Sequence, residues 1–368
     1  MRKIRLLLLP FFALALLLSA CKKTDNKPEE DPGPDPDKNY VKGIRVCGTL
    51  GSPYLVRENG TVRNMLPYFP DPQVTNVIAI SGGGNHALAL RADGTVWAWG
   101  RNEYGQLGDS TFVYRDTAVQ VRGLSNITAI SAGLGISVAL KVDGTVWAWG
   151  ADSTGQLGDS STTNKPYPVQ VHDLAGVIAV SAGMEHMLAV RSDGTVWGWG
   201  NGSLYALGIG PTDIELEPVQ ITGLSNVTAV SAGNFFSLAL KNDGTVWSWG
   251  TNGTGQLGDG TNATRTSPVQ VSVINNIRAI SAGYDHSMVL KSDSTLWAWG
   301  YNGYGSLGDG TGTTRFAPVQ VIKITKVIEM DARWHGTPVA IDKDHILWSW
   351  GGSIPGLGKP IPERVEEH

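Results

Sequence analysis

Cysteine is nearly absent. Only Cys21 and Cys47 occur in 368 residues, and no internal disulfide is possible if the first is acylated. Cys47 is expected as a buried structural thiol. Basic runs are absent too. Lys and Arg number 29 against 33 Asp and Glu, for a net charge of −4. The first 38 residues hold seven basic and six acidic side chains, which leaves about −5 on the rest. Without a basic stripe, nucleic-acid binding is not expected, nor docking on anionic lipid except through an anchor. Catalytic signatures are also missing: no nucleophile elbow, no HExxH and no phosphate loop. No helix follows the Gly-rich stretches. The Asp-Gly pairs lack the alternating oxygen ligands of a calcium loop. The residues therefore predict no enzyme, no cofactor and no metal.

What is present is a repeat of fifty residues. Asp93-Gly94-Thr95-Val96-Trp97-Ala98-Trp99-Gly100 returns unchanged at 143–150, with Gly198 or Ser248 in the place of Ala98 at 193–200 and 243–250, as a variant at 293–300, and as Leu347-Trp348-Ser349-Trp350-Gly351. A fixed period of this length means equal units that need their neighbours to bury an apolar face. Each unit reads as a short apolar strand ending in Ser-Ala-Gly, an alternating strand, a turn such as Asn242-Asp243-Gly244, and the Trp-bearing strand. Asp-Gly between apolar runs is a hairpin signal. A Gly-rich loop follows, Thr251 to Asp259, and then a short strand from Ser267 to Val271, opened by Pro268. Four strands per unit is the count for a propeller blade.

The paired Trp lie two apart, so both project from one face of the strand. Twelve of the thirteen Trp belong to these pairs, and core packing between blades is their expected role. A shorter unit lies upstream, with Val46-Cys47-Gly48 in the place of Ile80-Ser81-Gly82 and no Trp pair. That makes seven hairpins. The sequence predicts an all-β, seven-bladed β-propeller over 40–368, its ring closed by the N- and C-terminal segments.

The run Ala-Gly-x-x-His, then Asp-Gly-Thr-Val-Trp-x-Trp-Gly, then Gly-Gln-Leu-Gly-Asp resembles the regulator-of-chromosome-condensation repeat. The clearest matches are Ala282-Gly283-Tyr284-Asp285-His286-Ser287 and Gly255-Gln256-Leu257-Gly258-Asp259. The resemblance covers Val41 to the C-terminus. It implies the propeller fold and is weakly specific for function. The founding eukaryotic member is similar to a nuclear exchange factor for the GTPase Ran. Other members are interaction modules, and a secreted bacterial one inhibits β-lactamases. No residue set here matches exchange activity.

Residues 1–20 read as an export signal. Met1-Arg2-Lys3-Ile4-Arg5 is basic, an apolar run follows from Leu6 to Leu18, and Ser19-Ala20-Cys21 closes it. Leu18-Ser19-Ala20-Cys21 resembles a bacterial lipobox, which implies lipid attachment at Cys21. Residues 21–39 are rich in Pro and charge and are expected as a disordered linker. Lys22 after the lipidated Cys favours the outer membrane by the same resemblance. The expected address is an exported lipoprotein held to the membrane by its acyl anchor.

Variation between units points to function. The framework repeats almost verbatim, whereas the two residues after Ala-Gly do not. They are Gly84-Asn85, Leu134-Gly135, Met184-Glu185, Asn234-Phe235 and Tyr284-Asp285. Phe236 replaces the recurrent His, and the last unit offers Trp334 and His335. On one rim, Met184, Glu185, Asn234, Phe235, Phe236, Tyr284, Asp285, Trp334 and His335 would form an aromatic-rich site for a protein partner. Tyr104, Tyr205 and Tyr304 would form a second ring. His86, His186 and His286 are expected to bond backbone groups of their own blades. Alternatives are a carbohydrate-binding envelope protein and an inhibitor of a secreted or periplasmic enzyme.

Overall fold

The computed structural model describes residues 45–48, 53–65, 70–332, 337–352 and 359–366. Seven antiparallel sheets surround a central channel. Blade 2 sets the plan. Val77–Gly82 lines the channel, His86–Arg91 and Val96–Gly100 follow outward, and Arg115–Gln120 is outermost. Blades 3 to 6 repeat this order, beginning at Ile127, Val177, Val227 and Ile277. Blade 1 has three described strands, Arg45–Gly48, Pro53–Val56 and Val62–Asn64. Blade 7 runs from Val327–Asp331 to the two-residue strand Glu363–Arg364.

The turn between the second and third strands explains the Asp-Gly-Thr signature. Gly94 has φ +76°, a conformation that costs glycine nothing. Asp93 Oδ1 accepts from the backbone N and the Oγ1 of Thr95 at 3.0 and 2.6 Å. Thr95 Oγ1 in turn accepts from Trp97 Nε1 at 3.3 Å. Arg91 then covers the Trp97 ring at 5.7 Å from its centroid.

The two Trp of a pair have different fates. Trp149 is fully buried in the seam, packed on Leu88, Leu90, Val96 and Leu107 of blade 2. Trp147 is half-buried near the turn. Six seams so mate one blade's aliphatic face with the next blade's indole, as the Trp pattern predicts; the seam from blade 7 to blade 1, which lacks the Trp pair, is aliphatic among the described residues.

Polar stitches add to this packing. In the channel wall the backbone N of Ala132 donates to Ser81 Oγ of the preceding blade at 3.0 Å. Ala182, Ala232, Ala282 and Ala332 repeat the bond with Ser131, Ser181, Ser231 and Ser281. Cys47, buried as expected, takes this column in blade 1 and Asp331 takes it in blade 7.

The ring closes where blade 1 meets blade 7. Val46 and Leu55 pack on Val339, Ile341 and Leu347, with Met65 and Val365 alongside. Arg45 pairs with Glu329 across the same seam at 3.8 Å. One expectation is corrected in detail. The outermost strand of blade 5 is Arg265–Gln270, so it starts before Pro268 and is not opened by it. A register shift between Ser248 and Gly250 lets Arg265 pair with Gly250 upstream of the proline.

Candidate functional site

The variable pairs follow the innermost strand and lie at its exit from the channel. Their second members fix the start of the Gly-rich loop. Asn201 N donates to Glu185 O, Thr251 N to Phe235 O and Tyr301 N to Asp285 O, at 2.8–2.9 Å. Variable pairs and Gly-rich loops therefore share one rim. Neighbouring blades interleave there: Thr254 Oγ1 of blade 5 donates to Asp285 O of blade 6 at 3.3 Å. Tyr104 of blade 2 lies over Gly135 of blade 3, where an added Cβ would stand 2.9 Å from its ring.

The first members line the channel mouth. Met184, Asn234 and Tyr284 border one small cavity, with Gly183, Gly233 and Gly283 beneath them. Glu185, Phe235 and Asp285 occupy the second positions, and all six residues are half-buried. Tyr104 and Tyr304 reach further out, at 46% and 55% exposed, and Tyr301 meets Tyr304 edge to face at 5.9 Å. Tyr205 is half-buried on the same loop of blade 4. The three tyrosines thus belong to the same rim as the variable pairs.

Phe236 is a correction: it is 0% exposed and cannot belong to a binding surface. It begins the second strand of blade 5, opposite Gly250, and its ring packs in the seam with Leu238, Ala282 and Trp299. Trp334, His335 and Cys21, the expected site of lipid attachment, lie outside the described residues.

The histidines are a second correction. His86 Nε2 meets Ser137 Oγ of the next blade at 2.8 Å, not a backbone group of its own blade. Ser137 Oγ spends its one proton on Gln106 O at 2.8 Å, so His86 must be the donor. The ring is then the neutral Nε2–H tautomer, and Nδ1 has no hydrogen-bond partner among the described residues. His186 and Ser237 repeat this at 2.9 Å. Burial pushes His86 down to about 3 and His186 and His286 to about 4. These side chains are seam elements in separate blades and do not converge.

Two features escaped the sequence. Phe235 has φ +55°, whereas the same position in blade 3 is Gly135 at φ +76°. A bulky side chain in this left-handed region is a strained outlier. Asn234 Oδ1, beside it, is buried without a hydrogen-bond partner among the described residues. A sequence shows neither a dihedral angle nor an unmet acceptor. The channel interior was also overlooked. Glu329 stands in the column of Ala79, Ala129, Ala179, Ala229 and Ala279, a signal that column-by-column comparison would have found. Burial raises its carboxyl to about 7, against the lowering pull of Arg45.

A family model described as an RCC1-like domain matches residues 39–359. Among curated proteins, 49 residues are 41% identical to a bifunctional serine/threonine-protein kinase/NEDD4-like E3 ubiquitin-protein ligase of Dictyostelium discoideum, covering 13% of this chain and 3% of that protein. A further 81 residues are 33% identical to protein pim1 of Schizosaccharomyces pombe, covering 22% of this chain and 15% of that one. The matched stretches thus span a small part of either relative. Among solved structures, Prp20p of Saccharomyces cerevisiae superposes with a TM-score of 0.73 at 25% identity, over 90% of this chain and 87% of that one. That protein was described with its binding to Gsp1p and histones. Bound to Kap60, it superposes with a TM-score of 0.72 at 24% identity, over 90% and 85% of the two chains. With the family model spanning the ring from blade 1 to blade 7, this chain belongs to the RCC1-like domain family.

Proposed function

We propose that this protein is a non-enzymatic, lipid-anchored propeller of the cell envelope that binds a protein partner through the rim of variable pairs. The observation that carries the reading is the location of the variation. Core, seams and turns repeat nearly verbatim, while Met184, Glu185, Asn234, Phe235, Tyr284 and Asp285 differ and stand half-exposed on one rim. Half-exposed aromatics and Met on a rigid frame suit a protein interface. Prp20, of similar fold, is itself bound by protein partners. The export signal and lipobox-like Cys21 read from the sequence support a partner in the envelope or outside the cell, with the outer membrane as the proposed address.

Sugar binding is less favoured. A glycan needs open aromatic faces, and Trp97, Trp147, Trp197, Trp247 and Trp297 each carry an Arg or Lys over the ring. The test is alanine substitution at Met184, Phe235 and Tyr284, one at a time, against a retained protein partner. At least one should weaken binding by about 2 kcal/mol, as interface hot spots do. Unchanged affinity for all three would sink the rim assignment.

A further inference from the structure

We infer that the turn rim of the ring rests on the zwitterionic lipid headgroups of the membrane, so that the variable pairs face away from it. The inference rests on the lipid anchor proposed above and adds which face of the propeller meets the bilayer.

Three observations carry it. The first is where the chain enters. Arg45, the first described residue, pairs with Val56, which directly precedes the turn closed by Gly60 N and Arg57 O at 2.9 Å. Later innermost strands begin at the same rim: Val77 N donates to Gly60 O and Ile127 N to Gly94 O, at 3.0 and 3.2 Å. The innermost strands of blades 2 to 6 then run to their variable pairs at the opposite rim. The last strand also leaves at the turn rim, where Val365 N donates to Leu347 O at 2.9 Å, beside the turn between Asp342 and Ile346. Residues 22–44, which join Cys21 to Arg45, therefore reach the propeller from the turn side.

The second is the make-up of that rim. Ile78, Ile178 and Ile328 are exposed in one column of the innermost strands, around the turn-side mouth of the channel; Thr128, Thr228 and Arg278 share the column. Val142, 71% exposed, tips the turn of blade 3, and Val273, 68% exposed, lies in the link from blade 5 to blade 6. Trp97, Trp147, Trp197, Trp247 and Trp297 stand half-buried at the turns, each beneath an Arg or Lys. Aliphatic tips beside indoles and long basic side chains suit a headgroup layer, where apolar stems enter and charged ends stay wet.

The third is charge. Asp93, Asp143 and Asp293 pair with Arg91, Lys141 and Lys291 at 3.2–4.0 Å. His345 Nδ1 meets Glu58 Oε1 at 2.6 Å, and Lys343 Nζ donates to Asp344 Oδ1 at 2.8 Å. Both signs thus recur from turn to turn. Lipid phosphates can face the cations and ammonium groups the acids, whereas the turn carboxylates would repel a purely anionic surface.

The test reconstitutes the full-length acylated protein on vesicles of phosphatidylcholine and phosphatidylethanolamine. Fluorescent labels at Val142→Cys or Tyr304→Cys, on opposite rims, report quenching by a bilayer-borne quencher, while Cys47 is buried. Quenching should be several-fold stronger at position 142. The triple variant Ile78→Ser/Ile178→Ser/Ile328→Ser should lose most of that difference and still sediment with the vesicles. Equal quenching at the two positions, or stronger quenching at 304, overturns the orientation, as does a triple variant quenched like its parent. Protein that does not sediment with the vesicles refutes the anchor itself, and this inference with it. None of these results touches partner binding by the variable rim, which stands or falls on the Met184, Phe235 and Tyr284 substitutions.

Discussion

Gly108 of blade 2 lies against the indole of Trp149 in blade 3: a Cβ at Gly108 would stand 2.9 Å from Trp149 Nε1 and 2.8 Å from Val121 Cγ1. That indole donates to Gln106 O at 2.9 Å, so the Gly-Gln-Leu-Gly loop is the socket for the next blade's Trp. Gly158, Gly208, Gly258 and Gly308 hold the same place against Trp199, Trp249, Trp299 and Trp350. Gly108→Ala is expected to cost roughly 3 kcal/mol, combining left-handed strain with overpacking. Gly123 also has positive φ but nothing within 4 Å, so Gly123→Ala should cost only about 1–2 kcal/mol. Denaturant unfolding of the two variants separates the effects; equal losses would refute the socket.

The buried histidines make the ring acid-sensitive. Each is neutral in the fold, with burial holding it near 3 to 4, and titrates at 6.5 when unfolded. The unfolded state therefore binds more protons between those values, and stability must fall as pH drops from about 6.5 towards 4. Blade 5 already holds Phe236 at this position. His186→Phe should accordingly remove one histidine's share of the pH dependence. Unfolding free energies at pH 7 and pH 4.5 read this out; an unchanged slope would contradict the assignment.

Blade 3 carries a charge of opposite effect. In blade 2, Asn102 Nδ2 donates to Asp109 Oδ1, Thr111 O and Val113 O at 3.0–3.2 Å. Asp152 replaces that asparagine and is fully buried. One oxygen keeps its role, accepting from Leu157 N at 2.9 Å. The other takes the amide's place and accepts from Ser161 Oγ at 2.8 Å. Burial raises Asp152 to about 6, with Asp159 pushing the same way and Lys165 against it. The fold retains the proton between about 3.8 and 6, so this group lowers stability as pH rises through that window. Asp152→Asn should raise the melting temperature above pH 6 by a few degrees and have little effect near pH 4. No gain at pH 7 would show that the carboxylate is already compensated.

The channel wall gives a simpler case. Ser131→Ala leaves the buried N–H of Ala182 without its acceptor, at an expected cost of about 1–3 kcal/mol. Ser131→Cys, after Cys47 in blade 1, should cost less, and urea midpoints rank the two.

The propeller was legible because the fifty-residue period carries the whole unit, from Ser-Ala-Gly through Trp-x-Trp to Gly-Gln-Leu-Gly. Each motif proves to be a joint: Ser81 with Ala132 N, Gly108 with Trp149, Asp93 with Thr95. The site was legible only as a set of variable columns. Phe236 was misjudged because a changed residue reads the same whether it faces solvent or a seam. Its register opposite Gly250 turns the ring inward. The His–Ser bonds were missed for a related reason: their partners are 51 residues apart, and a repeat read unit by unit hides contacts between units. Tyr104 over Gly135 is likewise an inter-blade relation, visible only once the blades are stacked.

The most direct test of the account is capture of a partner from envelope extract and culture medium by the full-length protein, beside a variant with alanine at Met184, Phe235 and Tyr284. The account predicts that the wild type retains one protein that the variant releases, with both proteins melting alike. Retention of the same protein by both, or of polysaccharide alone, would contradict a protein-binding rim.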